Sequence, residues 1–330
     1  MYQIKRFFGI SAKIVGRSHE LQNKLCEDFV VVENNSKHQI MVLCDGISSV
    51  KYGLEGAKLV SKKVSFFLEQ HDVDDFESLD ALKKAMMHSV FDMLKQKAIQ
   101  TQCNPTEYAT TLCFVKNSPK GQIIGQLGDS QAFAFNHMKD IFHIPLKHKE
   151  FANYTHHVAK ENADQHLDIF SFPKNTFKYF IVCSDGAAHS LVSFEKYKPV
   201  FANAIDLIVK GFTDRSIADL EKQIQNYLMP MLKMKTLDDC ALGVLGLCEL
   251  NFDSDIKGDS LEFTKLLECV SFTQKRDEDL LKQKLLILLD MLALQKNGIF
   301  LTYENFKTKN KTDFKNARYH FQKLKEVFFS

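Results

Sequence analysis

The sequence predicts an α+β fold in which helices lie in layers against antiparallel sheets. Strands with tight turns between them follow one another closely at 110–115, 122–127 and 131–135. Strands this near in sequence pair antiparallel. The predicted helices are grouped between runs of strands, which argues against a parallel sheet built from strand–helix–strand units.

The spacing of apolar residues predicts the individual elements. The continuous apolar run Gln39–Cys44 predicts a buried strand that ends in a turn at Asp45-Gly46. Apolar residues at helical spacing predict helices over 54–68, 79–94 and 217–231. Further short strands are expected over 10–15, 29–32, 179–183 and 241–247. The polar, His-rich stretch 147–176 is weakly periodic, and we expect a flap or an irregular insert there.

The length of 330 residues suggests two domains. The polar stretch 251–259 marks the expected boundary, between a main domain over 1–250 and a small all-α domain over 251–330. The net charge of +2 argues against a broad nucleic-acid-binding face. The tail beyond Lys296 is basic, so a nucleic-acid-binding helix-turn-helix is one interpretation of it. The favoured one is a helical bundle with a solvated lysine face, which docks a partner or packs on the main domain.

Cysteine usage and hydropathy predict a cytoplasmic protein without a membrane span. The eight cysteines form no Cys-x-x-Cys pair, which argues against a structural zinc site. Several lie in apolar runs and are expected to be small buried hydrophobes in a reducing compartment. The N-terminus lacks the long apolar stretch of a signal peptide. The longest apolar stretch, from Leu285, is short and contains Asp290.

Five aspartates lie at or beside the ends of predicted strands: Asp28, Asp45, Asp129, Asp185 and Asp238. Carboxylates that converge at the rim of a sheet repel one another, and bound metal is the usual remedy. Oxygen donors without thiolate pairs favour Mg²⁺ or Mn²⁺ over zinc. An isolated Asp-Gly is usually only a turn, so the inference depends on the whole set.

Seven short motifs surround these aspartates in a fixed order over about residues 10–248. They are Gly16-x-Ser18-His19 with Cys26-Glu27-Asp28, Val42–Gly46, Gly53-x-x-Gly56-Ala57, Ala109–Leu112, Gly125–Ser130, Cys183–Gly186 and Asp238-Asp239. The series resembles the metal-dependent serine/threonine protein phosphatases of the 2C class, and its opening resembles a bacterial subgroup. The resemblance implies a four-layer α-β-β-α sandwich of two antiparallel sheets flanked by helices, with a dinuclear metal site at one end.

The same resemblance implies the chemistry of the site. Two Mg²⁺ or Mn²⁺ ions would activate a water that hydrolyses phosphoserine or phosphothreonine in a phosphorylated protein substrate, without a phosphoenzyme. Asp45 would bridge the ions, and Asp129 would support a weaker third ion. Asp239 is the alternative to Asp238. The implied ligands are Asp28, Asp45, the carbonyl of Gly46, Asp185 and Asp238.

The sequence departs from the family pattern at two places. Many relatives carry a phosphate-gripping arginine shortly before the Glu-Asp pair; here Lys24 would act as a point charge, with Arg17 or His19 as substitutes. The histidine that follows Asp-Gly in some relatives is Ile47. Lys24 and His19 are therefore the candidate catalytic residues.

The departures leave two other functions open. One is a pseudophosphatase, a metal-binding interaction module for a partner serine/threonine kinase. The other is a phosphatase that its basic tail recruits to nucleic acid.

Overall fold

The computed structural model describes residues 2–35, 38–137, 140–146, 155–195 and 198–252, with Ser260, Phe263 and Lys265. The chain divides into two compact units, one of residues 7–212 and 218–247, the other of residues 1–6, 213–217 and 248–330. The predicted helical domain over 251–330, with its basic tail, lies almost entirely outside the described residues. Its fold and its binding role therefore stay predictions.

Two five-stranded sheets form the centre of the fold. The strands of the first sheet are β1 (Tyr2–Ile14), β6 (Gln131–His137), β7 (Asp140–His143), β9 (Tyr179–Cys183) and β12 (Cys240–Phe252). Those of the second are β2 (Asp28–Asn34), β3 (Gln39–Asp45), β4 (Leu112–Ser118), β5 (Gly121–Leu127) and β8 (Asp168–Phe172). The first sheet has the order β1-β12-β9-β6-β7 and the second β2-β3-β4-β5-β8. The registers described within the two sheets are antiparallel, as the sequence predicts.

Helices flank the sheets. Long helices α2 (Gly53–Gln70) and α3 (Leu79–Thr101) follow β3 in the chain, with the short α1 (Arg17–Leu21) before β2. The later helices are α4 (Asp185–Leu191), α5 (Asn203–Asp214), α6 (Ile217–Gln223) and α7 (Met229–Lys233). A π-helical turn, Ile224–Leu228, joins α6 to α7, so the helix predicted over 217–231 is three segments. Among the described residues, no helix is long and apolar enough to cross a membrane.

The apolar run of β3 is continuous because both faces of the strand are buried. Ile40 and Val42 belong to the apolar cluster that α2 and α3 cover. Met41 and Leu43 point the other way, into the cluster between the two sheets. Alternate side chains of a strand face opposite sides, so a strand in the middle of a layered fold has no polar face. The predicted fold class, two antiparallel sheets flanked by helices, is confirmed.

The structure corrects the sequence-based prediction over 147–176. Residues 168–172 form β8, which pairs with β5 at the edge of the second sheet. An edge strand of five residues gives too short an alternation to be recognised, and its Phe170 is 40% exposed. Residues 147–154 of the predicted insert lie outside the described residues. The hairpin of β10 (Val192–Glu195) and β11 (Lys198–Phe201) also has no counterpart in the prediction.

A buried ion pair ties the chain after α2 to the second sheet. Lys116 on β4 is 2% exposed, and its Nζ lies 2.6 Å from Oδ1 of Asp72. The same Nζ donates to the carbonyl oxygen of His71, at 2.7 Å. Partial burial alone would raise the pKa of Asp72, but the hydrogen bonds and charges of Lys116 and Lys120 together outweigh it and lower that pKa.

We predict that Asp72→Ala destabilises the protein, because it leaves the buried ammonium of Lys116 without its counter-charge. The expected loss in the free energy of unfolding is about 2 kcal/mol, allowing for the partial exposure of Asp72. Adding Lys116→Met should restore much of the loss. Urea denaturation measures both variants, and Asp74→Ala is the control because Asp74 is exposed. A double variant as unstable as Asp72→Ala alone would contradict this account.

Candidate active site

A cavity of about 550 Å³ lies where the predicted site residues come together. All six residues predicted from the sequence for the metal site line it, namely Asp28, Asp45, Gly46, Asp129, Asp185 and Asp238. The candidate catalytic residues His19 and Lys24 line it as well. The remaining lining residues are Ser18, Gln22, Glu27, Ile47, Ser48, Ser49, Thr111, Thr155 and Asp239. Motifs that are up to 220 residues apart in sequence thus share one cavity.

Strand register places the first two aspartates side by side. Asp28 begins β2 and Asp45 ends β3, and they stand directly opposite each other in the antiparallel register. Two threonines then fix the backbone of Asp45: its carbonyl oxygen accepts from Oγ1 of Thr110 at 2.7 Å and from N–H of Thr111 at 2.9 Å. Its N–H donates to Oγ1 of Thr111 at 3.1 Å. The Ala-Thr-Thr-Leu motif therefore holds the Asp45 backbone in place.

Both Asp-Gly turns of the site need glycine because other backbone segments come too close for a side chain. A Cβ on Gly46 would lie 2.6 Å from the carbonyl carbon and oxygen of Gly53, at the start of α2. A Cβ on Gly186 would lie 2.2 Å from the carbonyl oxygen of Asp239. Glycine lets these segments approach, and so brings the aspartates together.

The other predicted ligands come from the turn after β5, the start of α4 and the start of β12. Asp129 follows Gly128, whose φ is +98°, and its Oδ2 accepts from Oγ1 of Thr155 at 2.9 Å. Asp185 begins α4, and its Oδ1 accepts from the N–H of Gly186 at 2.6 Å. Asp238 is exposed and lies two residues before the start of β12.

Asp239 is buried, and three donors use its carboxylate. Oδ1 accepts from the N–H of Gly16 at 2.6 Å. Oδ2 accepts from the N–H of Glu27 at 2.6 Å and pairs with Nδ1 of His19 at 2.9 Å. These bonds join the start of β12 to two other segments of the cavity wall. The sequence indicates this residue only as an alternative ligand, because no pattern near Asp239 predicts its hydrogen bonds to distant segments.

Burial and mutual repulsion raise the pKa of three of these carboxyl groups, so that their anionic forms are disfavoured in the absence of cations. Burial raises the pKa of Asp28 to about 7, with the charges of Asp239 and Asp185 adding to the shift. Burial, together with the charges of Asp28 and Asp185, raises the pKa of Asp45 well above its usual value. The pKa of Asp185 is raised chiefly by burial and then by Asp129.

The donor set fits hard divalent cations. Oδ2 of Asp28 is buried and has no hydrogen-bond partner, so it is an oxygen with an unused lone pair facing other carboxylates. Aspartate oxygens and a backbone carbonyl are the ligands that Mg²⁺ and Mn²⁺ prefer. Among the described residues, no group of three or more His, Cys, Asp or Glu side chains is arranged closely enough to hold a metal ion as it stands. The fit therefore rests on donor chemistry and on the repulsion that cations would relieve.

The structure separates the three basic residues considered for phosphate contact. Lys24 and His19 line the cavity, and Nε2 of His19 lies 3.7 Å from Oε2 of Glu27. Arg17 does not line it: its guanidinium donates to the carbonyl oxygens of Met234 and Thr236. The structure thus places Lys24 and His19, but not Arg17, in the cavity wall. Ile47 stands in the cavity wall, at the position where some relatives have histidine.

Four thiols adjoin the site, and all are held in the protonated form. Cys44 and Cys183 directly precede Asp45 and Asp185, and both are buried. Burial raises the pKa of each thiol, and the neighbouring aspartate adds to the shift. Burial and nearby carboxylates also raise the pKa of Cys240 to about 12 and that of Cys26 beyond it. Among the described cysteines, Cys26 and Cys103 are partly buried, and the other five are buried as the sequence predicts: Cys44, Cys113, Cys183, Cys240 and Cys248.

Comparison with known proteins gives the same family as the motifs. The sequence model of protein phosphatase 2C matches residues 15–228. Serine/threonine-protein phosphatase 3 of Escherichia coli (strain K12) is 26% identical over 196 residues, which are 56% of this chain and 71% of that protein.

Solved structures show the shared fold. A bacterial serine phosphatase, 19% identical, aligns with a TM-score of 0.50 over 74% of this chain and 97% of its own. PppA, a key regulatory component of T6SS in Pseudomonas aeruginosa, is 14% identical, with a TM-score of 0.52 over 74% of this chain and 99% of its own. Because the family match spans well over half of the chain, this protein belongs to the protein phosphatase 2C family of serine/threonine phosphatases.

Proposed function

We propose that this phosphatase hydrolyses phosphoserine and phosphothreonine in proteins at a dinuclear Mg²⁺ or Mn²⁺ site. The observation that carries the proposal is the convergence of Asp28, Asp45, Asp129, Asp185 and Asp238 on one cavity, in which Oδ2 of Asp28 is buried without a hydrogen-bond partner. So many carboxylates at one place are stable as anions only next to cations.

Each predicted metal ligand has a proposed role. Asp45 would hold two cations, and the carbonyl of Gly46 would bind one of them. Asp28 would bind directly or through water, Asp185 and Asp238 would bind the second cation, and Asp129 would support a weaker third ion. Bound cations would supply charge neutralisation for the phosphoryl oxygens and an activated water.

The proposed contacts with the substrate come from Lys24 and His19. Lys24 offers a single positive charge to the phosphoryl oxygens, in place of a bidentate arginine. His19 is held by its bond to Asp239, so its ring has one fixed orientation at the cavity wall. Ile47 contributes no proton and makes that part of the wall apolar. These residues hold and orient the phosphorylated side chain.

A pseudophosphatase partnered by a kinase is the second function considered from the sequence. The placement of Lys24 and His19 in the cavity favours catalysis instead, because cationic or proton-carrying side chains remain where the family residues are missing. A partner kinase and recruitment to nucleic acid both stay proposals, which depend on residues 251–330.

We predict that Asp45→Asn lowers phosphopeptide turnover by about a thousandfold or more, because it removes the proposed bridging ligand. The measurement is phosphate release from a phosphothreonine peptide with Mn²⁺, Mg²⁺ or a chelator. Asp140→Asn is the control, since Asp140 is exposed on β7 and does not line the cavity. Wild-type protein that releases no phosphate with either ion would refute the proposed activity.

We predict that the metal-free protein loses stability as the pH rises from about 4 to about 7. The folded-state pKa of Asp28, about 7, lies above the usual 3.8, so the folded state binds this proton more tightly than the unfolded state. Its contribution to stability is complete below pH 4 and is lost as the pH passes the folded-state pKa. Because of this group, the free energy of unfolding measured by urea denaturation should be about 2 kcal/mol lower at pH 8 than at pH 5. Asp28→Asn should reduce this difference. A variant with an unchanged pH dependence would contradict the electrostatic account.

We predict that substitutions of the neighbouring Asp238 and Asp239 affect different properties, metal binding for Asp238 and stability for Asp239. Asp239→Asn removes acceptors for two of three N–H groups, so the unfolding free energy of the metal-free protein should fall by about 2 kcal/mol. Asp238→Asn changes an exposed residue, and it should leave that stability within about 0.5 kcal/mol of wild type. In calorimetric titration with Mn²⁺, Asp238→Asn should weaken binding at least tenfold. If Asp238→Asn bound Mn²⁺ like wild type, Asp238 would not be a ligand.

A further inference from the structure

Exposed apolar side chains are concentrated in two segments of the described chain. Eleven large apolar residues are strongly exposed there, and six of them fall within 21–25 and 227–237. These six are Leu21 (85% exposed), Leu25 (72%), Tyr227 (71%), Met231 (54%), Met234 (69%) and Leu237 (61%). We call these six side chains the apolar lip. A cluster of this kind on a protein surface commonly marks an interaction site.

Hydrogen bonds hold the two segments of the apolar lip side by side. Arg17 donates to the carbonyl oxygens of Met234, at 3.3 Å, and of Thr236, at 3.2 Å. Oγ of Ser18 donates to the carbonyl oxygen of Leu237, at 2.7 Å. Lys233 forms an ion pair with Glu20 on α1. The segment of α1 that ends at Leu21 therefore lies beside the segment after α7 that contains Met234 and Leu237.

The apolar lip borders the active-site cavity. Three of its leucines are sequence neighbours of residues that line the cavity: Leu21 precedes Gln22, Leu25 follows Lys24, and Leu237 precedes Asp238. The backbone that carries these three leucines is thus joined directly to the wall that has to receive the phosphorylated side chain.

We propose that the apolar lip binds apolar side chains that flank the phosphorylated residue of the protein substrate. The inference rests on the proposed function and names a preference within it. A peptide whose phosphoserine or phosphothreonine enters the cavity has to run over its border on both sides, and this border is apolar along one edge. Apolar side chains of the peptide leave water on contact with the exposed leucines, which stabilises the bound complex.

The proposal commits to a segment of the substrate as the occupant, and not to a second copy of the chain. A lip that borders the cavity is reached by any peptide bound there, whereas a second copy seated on it would obstruct entry. The preference also suits a cavity in which carboxylates outnumber cationic side chains, since apolar flanks meet no repulsion at the mouth.

The test compares three substrates on the full chain with Mn²⁺. p-Nitrophenyl phosphate fills only the cavity. One phosphothreonine peptide carries Leu or Phe on both sides of the phosphorylated residue, and a second carries Ser there. The variant is Leu21→Ser with Leu237→Ser. The control is Leu207→Ser, because Leu207 is 70% exposed on α5 and does not line the cavity.

The double variant should lose about tenfold in kcat/KM on the apolar-flanked peptide, from the apolar contact removed. Its turnover of the Ser-flanked peptide and of p-nitrophenyl phosphate should match wild type, as should all three rates of Leu207→Ser. An unchanged rate on the apolar-flanked peptide, or an equal loss on both peptides, would overturn the proposal. A lower molecular mass of the double variant in sedimentation, with peptide rates unchanged, would assign the apolar lip to a contact between copies.

A binding measurement separates this inference from the proposed function. If wild-type protein hydrolyses none of the three substrates, the proposed function fails on its own. Fluorescence anisotropy of the labelled apolar-flanked peptide then decides the inference. About tenfold weaker binding to the double variant supports the apolar lip, and equal binding to both proteins overturns it.

Discussion

The buried carboxylate of Asp239 joins three segments that build one wall of the cavity. Its two oxygens serve the N–H groups of Gly16 and Glu27 and the ring of His19, so segments more than 200 residues apart are fixed within hydrogen-bond distance. These bonds also restrict the positions of two sequence neighbours: Asp238, which precedes Asp239, and Asp28, which follows Glu27. A carboxylate that accepts several hydrogen bonds is a strong organiser, because each lost bond leaves a buried donor unsatisfied.

Repulsion between two of the predicted ligands destabilises another part of the site. Asp28 and Asp45 stand opposite each other across β2 and β3, an arrangement in which like charges destabilise a sheet. The surrounding structure bears the repulsion: the threonines after residue 109 secure the backbone of Asp45, and the sandwich core buries both faces of β3. Functional sites commonly keep such local destabilisation, and the rest of the fold compensates for it.

The sequence predicted those features that depend on short, regular patterns. The buried strand at 39–44, the two long helices and the chain order of the aspartates each lie within a few consecutive residues. Features that arise from tertiary contact could not be predicted in this way. β8 is a strand because it meets the edge of β5, and Asp239 is an anchor because three distant donors converge on it. The guanidinium of Arg17 binds the carbonyl oxygens of residues 234 and 236, and no residue near Arg17 in the sequence predicts these contacts.

The protonated thiols around the cavity set its response to oxidants. Peroxides and alkylating reagents attack the thiolate, and burial keeps Cys44, Cys183 and Cys240 in the unreactive thiol form at neutral pH. Phosphatases that use a cysteine nucleophile need a thiolate and are silenced when it is oxidised. A site made of aspartate oxygens with inert thiols behind it has no such weakness. Oxidants that silence cysteine-dependent phosphatases are therefore expected to leave these three buried thiols unreacted.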